Sequence, residues 1–143
     1  MIALDTNILL HAHRRDASLH EVAKDCVKEL AENPIPWAIC YHSLIEFYGI
    51  ITQPRIWSSP SSPEQAKKQI FAWKESPSLK ILTDTPDDIG DLLNLASVAK
   101  VTGAMIHDAR IANCCVVNGI RELWTIDRDF SRFPELRIRN PLL

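Results

Sequence analysis

Short apolar runs alternate along the chain with longer segments in which apolar residues recur at helical spacing. The short runs predict strands, and the longer segments predict helices between them. Alternation of this kind is typical of the α/β class, in which helices cover both faces of a parallel sheet. The predicted strands are Ile2–Leu4, Trp37–Cys40, Lys80–Leu82, Glu122–Ile126 and Arg137–Ile138, which gives a central sheet of four to five strands.

Residues with known capping preferences predict where the helices begin and end. The predicted starts are Ser18 with Glu21 as a capping box, Ser43, Ser62 followed by Pro63, Thr85 followed by Pro86, and about His107. The predicted ends are Glu32, the Thr102–Gly103 pair, and Asn118 with Gly119 as a left-handed stop.

The size and composition of the chain are those of one ordinary globular domain spanning residues 1–143. No apolar run approaches the length of about 18 residues that a membrane span requires, and no basic region precedes the first apolar run as in a signal peptide. The formal net charge of −2 argues against a strongly basic nucleic-acid binder, although a local patch or bound cations could still attract phosphate. We expect a cytoplasmic protein that does not associate with membranes.

The cysteines form neither a CxxC pattern nor a dense disulfide framework. Their neighbours in the sequence are apolar, which predicts buried free thiols in a reducing compartment. The four cysteines are Cys26, Cys40, Cys114 and Cys115.

Carboxylates stand where two predicted strands end. Asp5 follows the first strand and Asp127 follows the fourth, and ligands of parallel sheets bind beyond the carboxyl ends of the strands. Asp129 lies two residues past Asp127, so in extended backbone both side chains would point the same way. Glu46 and Asp108 stand in the first turns of helices that follow loops.

Each of these acids also has a purely structural explanation. Asp5 could cap the next helix, Glu46 could complete a capping box with Ser43, Asp108 could cap its own helix, and the "DRD" aspartates could form a turn. Taken together, however, converging carboxylates repel one another and raise one another's pKa, and no lysine or arginine is obviously buried among them. A divalent cation would remove this repulsion, and a ligand set made only of oxygen favours Mg²⁺ or Mn²⁺ and metal-assisted phosphodiester cleavage.

Several segments in order along the chain resemble the PIN-domain nucleases and, more narrowly, the VapC toxins of type II toxin–antitoxin pairs. These segments are "ALDTN", the helix that carries Glu46, "GAMIHDARIAN" and "LWTIDRDFSRF", and the similarity extends through "QPRIWSSPSSPEQA" and the closing "FPELRIRNPLL". The resemblance implies a three-layer α/β domain and an endoribonuclease that depends on Mg²⁺ or Mn²⁺. It also implies a homodimer and a cognate VapB-like antitoxin, whose helical segment would lie between the early helices.

The resemblance also implies roles for individual residues. The metal-binding acids of the family fall on Asp5, Glu46, Asp108 and Asp127, and Asp129 matches a frequent fifth acid. Asn7 and Thr125 match polar positions that would orient a carboxylate or a metal-bound water, although Thr125 is also an ordinary strand residue.

Basic and aromatic residues near these segments have less specific roles. Five arginines could hold RNA phosphates, and a solvated surface role is an equal alternative for each: Arg14, Arg15, Arg110, Arg128 and Arg132. His42 and His107 adjoin the acids in sequence, but metal-assisted hydrolysis needs no histidine base. Trp37, Trp73 and Phe130 are expected in the core or in an interface.

Two other functions remain open from the residues alone. The same fold could be a catalytically silent module that binds RNA or protein. A phosphohydrolase resembling the haloacid dehalogenases also begins with an aspartate after its first strand, but that family expects a second aspartate where this chain has Asn7.

Overall fold

Five short strands form one parallel sheet in the computed structural model, which describes residues 1–143. The strands follow the spatial order β3-β2-β1-β4-β5, so the direction of winding reverses at the central strand β1. The predicted parallel sheet of four to five strands is thereby confirmed. The strand bounds are β1 Ile2–Leu4, β2 Trp37–Cys40, β3 Leu79–Leu82, β4 Glu122–Trp124 and β5 Arg137–Arg139.

The register of the central strands brings distant parts of the chain to one edge. Leu4 of β1 is paired with Ile39 of β2 on one side and with Trp124 of β4 on the other. The next residue, Asp5, donates its backbone N–H to the carbonyl oxygen of Trp124 at 3.0 Å. The carboxyl ends of β1, β2 and β4 therefore meet at one edge, where the strand order reverses.

Helices cover both faces of the sheet and give a three-layer domain. Helices α1 to α4 pack on one face, and α5 and α6 pack on the other. The helix bounds are α1 Thr6–His13, α2 His20–Glu32, α3 Tyr41–Ile51, α4 Pro63–Lys74, α5 Ile89–Val98 and α6 Ile106–Val117, with shorter 3-10 turns at Pro86–Asp88, Gly103–Met105 and Arg128–Arg132. No helix is both long enough and apolar enough to span a bilayer.

Alternate residues of the strands supply two separate cores. Ala3 packs beneath α5 and α6, whereas Leu4 packs beneath the other four helices. This alternation follows from the period of two along a strand, and burial on both faces explains why the inner strands β1 and β2 are continuous apolar runs. The aromatic residues Trp37, Trp73 and Phe130 are all buried in these cores, as predicted.

The cysteines are free thiols. Cys40, Cys114 and Cys115 are buried, and the sulfur atoms of Cys40 and Cys115 lie 3.8 Å apart. Cys26 is only half-buried, against the groove between α2 and β4.

Two of the predicted helix starts are wrong. The capping box at Ser18 does not form, because turn hydrogen bonds hold residues 14–20 and α2 begins at His20 without a side-chain cap. Helix α3 begins at Tyr41, since β2 passes directly into it, so Ser43 is an interior residue whose buried hydroxyl has no partner. Glu46 therefore belongs to no capping box, and it lies in the second turn of α3.

Other predicted boundaries agree with the structure or differ slightly. Ser62 caps α4 in a complete capping box with Gln65, and Gly119 ends α6 with a φ of +76°. Helix α5 is shorter than predicted, because Lys100 adopts a left-handed φ of +56° and the N–H of Val101 closes the helix onto Ala96 at 2.9 Å. Strand β4 ends at Trp124, two residues before the predicted end.

Candidate metal centre

Asp5 is the most buried carboxylate at the edge where the strand order reverses, with 4% of its surface exposed. One carboxylate oxygen, Oδ1, accepts the backbone N–H of Thr6 at 2.8 Å, so Asp5 caps α1 as its structural explanation predicts. The other oxygen, Oδ2, accepts the hydroxyl of Thr125 at 2.8 Å and the amide of Asn7 at 3.1 Å. The cap thus uses one oxygen and leaves the second to the side chains of Thr125 and Asn7.

Burial is the main cause that raises the pKa of Asp5 to about 7. The hydrogen bonds from Thr125 and Thr6 oppose this rise, because they favour the charged carboxylate. The negative charges of Glu46 and Asp108 contribute to the rise. Asp5 therefore lies close enough to both acids to be affected by their charges.

Asn7 and Thr125 connect the first helix to the end of β4. Thr125 is 1% exposed, and its hydroxyl accepts the amide of Asn7 at 3.0 Å and the backbone N–H of Asp127 at 3.0 Å. Asn7 also accepts the backbone N–H of Ile126 at 3.3 Å. These contacts fix the position of Asp5 relative to Asp127.

Asp127 and Asp129 do not share extended backbone, because Asp129 lies in a 3-10 turn, so the condition on which the prediction for their side chains rested is not met. Oδ1 of Asp127 accepts the backbone N–H of Asp129 at 2.9 Å and caps the 3-10 turn Arg128–Arg132. The turn explanation is correct for this pair, because a carboxylate that accepts a hydrogen bond from a residue two positions on stabilises such a turn. Oδ2 of Asp127 makes no hydrogen bond within the protein.

Two further carboxylates, those of Asp108 and Glu46, come from helices on opposite faces of the sheet. Asp108 lies in the first turn of α6 and Glu46 in α3. Burial, together with the charges of Asp127, Glu46 and Asp129, raises the pKa of Asp108 to about 6. We call these five carboxylates the acidic cluster: Asp5, Glu46, Asp108, Asp127 and Asp129.

The acidic cluster has no basic partner. The ion pairs of the protein are Arg14–Asp16, His20–Glu21, Lys67–Glu64 and Arg110–Asp84, and none of them includes a member of the cluster. The neighbouring imidazole of His107 opposes the rise in the pKa of Asp108, but less strongly than burial and the neighbouring carboxylates promote it. Buried and half-buried carboxylates without a counter-charge are costly, and a cation is the simplest compensation.

The donor chemistry fits a divalent cation, because every member offers carboxylate oxygen. The side chains are nevertheless spread apart: no three acidic, histidine or cysteine side chains lie close enough together to hold one ion as they stand. Mutual repulsion favours this separation. Binding an ion therefore requires side-chain rotations that bring the carboxylates towards a common point.

Comparison with known proteins assigns the fold to a family. The PIN domain family matches residues 2–136 of the chain. This chain belongs to the PIN-domain family. Its similarity to named relatives places it among the VapC ribonucleases: it is 30% identical to ribonuclease VapC43 of Mycobacterium tuberculosis over 142 residues, covering 99% of this chain and 96% of the relative. It is 26% identical to ribonuclease VapC48 of the same species, covering 96% and 94%.

Solved structures agree with this PIN-domain assignment at the level of the fold. VapBC2 from Rickettsia felis, bound to a DNA fragment from its promoter, superposes with a TM-score of 0.71 at 21% identity, covering 98% of each chain. VapC20 of Mycobacterium tuberculosis, described as a toxin that cleaves the sarcin–ricin loop, superposes with a TM-score of 0.69 at 17% identity, covering 92% of this chain and 93% of that one. The resemblance inferred from the sequence is confirmed.

The five arginines considered for RNA binding lie in three parts of this PIN domain. Arg128 and Arg132 are exposed in the 3-10 turn beside the acidic cluster. Arg14 and Arg15 lie just beyond the far end of α1, about 12 Å of helix away from the start at Asp5. Arg110 is on α6, two residues after Asp108.

Two of these arginines are already bound within the protein. The buried guanidinium of Arg14 donates to Asp16 at 2.8 Å and to the carbonyl oxygen of Ser59 at 2.8 Å, and it stacks over the ring of Trp57 at 4.2 Å. Arg110 forms a two-pronged pair with Asp84, described below. Arg15 is exposed and forms no ion pair.

Sequence reasoning missed a group of side chains beside the acidic cluster. The rings of His42 and His107 stack with their centroids 5.4 Å apart, and Asp84 binds Arg110 next to them. Burial and the charge of Arg110 lower the pKa of His42. The position of Asp84 in the sequence could have predicted a polar side chain at this edge of the sheet, because Asp84 follows β3 closely, much as Asp5 follows β1.

Proposed function

We propose that this PIN domain is an endoribonuclease that uses Mg²⁺ or Mn²⁺ and acts, as a single domain, as the toxin of a toxin–antitoxin pair. The observation that carries the proposal is the acidic cluster, in which carboxylates from four parts of the chain lie near enough for their charges to act on one another and have no basic partner. The names of its VapC relatives support ribonuclease activity, and its oxygen-only donors support a hard divalent ion.

The surroundings of each acid would determine its role in binding the metal. Asp5, Asp127, Asp108 and Glu46 would hold the metal. Asp5 is fixed by three hydrogen bonds, whereas Oδ2 of Asp127 is free to turn towards an ion. When bound, the ion would supply an activated water and neutralise charge on the scissile phosphate.

The remaining polar residues would position these acids and the RNA. Thr125 and Asn7 would keep Asp5 charged and correctly oriented, because both donate hydrogen bonds to Oδ2. Arg128 and Arg132 would hold the phosphates that flank the cleavage point, since their guanidinium groups are exposed beside the cluster. Asp129 would contact a second ion, reach the first through water, or hold one of these arginines.

The protein partners follow the same proposal. Several structural neighbours are complexes between a toxin and its antitoxin, which supports a VapB-like antitoxin as the partner. A basic or aromatic side chain of that antitoxin, placed near the acidic cluster, would compensate its charge. The free cysteines suit the reducing cytoplasm, where RNA substrates are found.

A second copy of the chain would cover an apolar stripe on α3 and α5. Tyr41, Ile45 and Tyr48 are exposed at the spacing of one helix face, and Ile89 and Leu93 are each 55% exposed on α5. Tyr41 and Ile89 line the same cavity, so the two helix faces are continuous. A dimer would bury this surface, and Ile45→Asp should give a monomer in size-exclusion chromatography with light scattering. A wild-type protein that is itself monomeric at high concentration would refute the dimer.

Cleavage of RNA by the purified protein tests the proposed activity. We expect cleavage that requires Mg²⁺ or Mn²⁺, stops with chelator, and falls at least a hundredfold in Asp5→Asn and Asp127→Asn. Asp25→Asn is the matched control, because Asp25 is an exposed acid on α2 outside the cluster. A folded wild-type protein that binds the metal but cleaves no RNA would support the silent binding module instead. Sequencing the products from total RNA would identify the target.

A further inference from the structure

A line of polar contacts joins β3, α6 and α3 beside the acidic cluster. Asp84, which follows β3, binds the guanidinium of Arg110 with both oxygens, at 2.9 Å to Nε and 3.0 Å to Nη2. Nη1 of the same guanidinium lies 3.4 Å from Nδ1 of His42 on α3. A two-pronged pair holds the guanidinium in a fixed plane, so its remaining N–H points in a fixed direction.

The chemistry of arginine determines which nitrogen of His42 carries the proton. A guanidinium has donors only, so Nδ1 of His42 must accept this hydrogen bond through its lone pair. The proton of the neutral ring is then on Nε2, which makes Nε2 a donor. The ring of His107 stacks against that of His42 at an angle of 19° between planes, which restricts rotation of the imidazole.

This donor has no acceptor in the protein. Nε2 of His42 is buried and makes no hydrogen bond. A buried donor without a partner is costly, and such groups in folded proteins usually have a reason. A candidate acceptor lies one turn further along the same helix, because Glu46 is four residues after His42, on the same face of α3. The carboxylate of Glu46 is also close enough for its charge to act on His42.

We propose that His42 is a positioning residue for Glu46, whose carboxylate accepts the Nε2–H of His42 when it turns to hold the metal. Asp84 and Arg110 fix the tautomer of His42, and His42 in turn fixes the orientation of Glu46. This inference rests on the proposed metal site. It supplies Glu46 with the kind of supporting hydrogen bond that Thr125 and Asn7 give to Asp5.

Nitrogen NMR of the imidazole rings in the metal-free protein tests the tautomer. At a pH where the ring is neutral, we expect the proton of His42 on Nε2 in the wild type. Arg110→Lys should give a mixture of tautomers, since a lysine cannot form the two-pronged pair with Asp84. Arg121→Lys is the control, because Arg121 is exposed and forms no ion pair. A wild-type ring with its proton on Nδ1 overturns the inference.

Manganese binding, measured by calorimetry, tests the role of His42 towards Glu46. His42→Phe keeps a ring against His107 but lacks the donor, so its affinity for Mn²⁺ should fall about tenfold. His42→Gln places an amide N–H near the Nε2 position and should restore most of the affinity, whereas His42→Asn should not. In Glu46→Gln the further change to Phe at position 42 should have little effect, because the residue that His42 positions is already altered.

The outcomes separate this inference from the function on which it rests. A wild-type protein that binds no Mn²⁺ overturns the proposed metal site, and this inference with it. A wild type that binds Mn²⁺, together with a folded His42→Phe variant of equal affinity, overturns this inference alone. Equal losses in His42→Phe and His42→Gln also overturn it, since they would show that the Nε2 donor is not what matters.

Discussion

The hydroxyl of Thr125 donates to Oδ2 of Asp5 at 2.8 Å, so the residue that follows the fourth strand holds the carboxylate that follows the first. The same hydroxyl accepts the backbone N–H of Asp127 at 3.0 Å. One side chain thus sets the spacing between two of the acids proposed to hold the metal.

Replacing this hydroxyl should weaken both the fold and the metal site. Thr125→Val keeps the shape of the side chain but leaves Oδ2 of Asp5 and the N–H of Asp127 with fewer partners. We expect the free energy of unfolding to fall by about 1–3 kcal/mol in urea denaturation. Affinity for Mn²⁺ should fall about tenfold.

Thr6→Val is the matched control for that experiment. Thr6 is also a buried threonine beside Asp5, but its hydroxyl has no hydrogen-bond partner. Its replacement should change the free energy of unfolding by less than about 0.5 kcal/mol or stabilise the protein slightly, because a buried unpaired polar atom is removed. Equal destabilisation by the two variants would contradict the role given to Thr125.

The stability of the metal-free protein should fall as the pH rises from about 4 to 7. The pKa of Asp5 is raised to about 7 in the folded protein, so the folded state keeps a proton that the unfolded state has lost over this range. Ionising Asp5 therefore costs the folded state up to about 4 kcal/mol by pH 7. Asp108 acts in the same direction between about pH 4 and its folded pKa of about 6.

Asp5→Asn is the variant that checks this pH dependence. Its free energy of unfolding in chelator should vary less with pH than that of the wild type. At pH 7.5 the variant should be at least as stable as the wild type, since an amide carries no charge in the buried position. Parallel curves for the two proteins would show that Asp5 is not responsible.

Divalent metal should stabilise the folded protein, and the effect should depend on the acidic cluster. At Mn²⁺ one hundred times above its dissociation constant, linkage predicts about 2.7 kcal/mol of stabilisation. Asp127→Asn should lose most of the corresponding shift in melting temperature, whereas Asp25→Asn should keep it. A shift that persists in Asp127→Asn would place the ion elsewhere.

Arg14 and Arg128 should respond to the same substitution in opposite ways. Arg14→Gln removes a buried guanidinium bound to Asp16 and to Ser59, and we expect a loss of about 2–4 kcal/mol in stability. Arg128→Gln should leave stability nearly unchanged but raise KM for RNA and reduce the salt dependence of binding. A KM equal to that of the wild type in the Arg128 variant would show that this arginine does not bind RNA.

Two left-handed residues give a simple test of the helix ends. Gly119 has a φ of +76°, and no atom lies within 4 Å of the point that a Cβ would occupy there, so Gly119→Ala should cost about 1 kcal/mol through backbone strain alone. Lys100 has a φ of +56°, and Lys100→Gly should stabilise the protein by a similar amount. Shifts of the same sign in the melting temperatures of the two variants would contradict this interpretation of the two helix ends.

The sequence predicted the strands well, and it predicted which acids follow them, because both signals are local. Asp5 and Asp127 each follow an apolar run, and a parallel sheet necessarily gathers such positions at one edge. The helix starts that were predicted wrongly depend on tertiary structure. Serine is a favoured residue at helix starts, but β2 leads straight into α3, so Ser43 lies inside the helix. Propensity at one position cannot show whether a loop precedes it.

The polar contacts around His42 could not be predicted from the sequence, for a different reason. Asp84, Arg110 and His42 come from three separate parts of the chain, and their contacts depend on how α6 lies beside α3 and the segment that follows β3. Nor could spacing show that Arg14 is bound inside the protein while Arg128 is exposed, since both are arginines close to a predicted acid or helix. These distinctions require side-chain positions.

The central place of β1 has a consequence for the synthesis of the protein. Asp5 is synthesised 122 residues before Asp127, and its partner strand β4 shortly precedes that second acid. A nascent chain that does not yet include Asp127 therefore cannot assemble the acidic cluster, whatever the earlier helices do. The topology thus delays assembly of the acidic cluster until the segment that carries β4 and Asp127 has been synthesised.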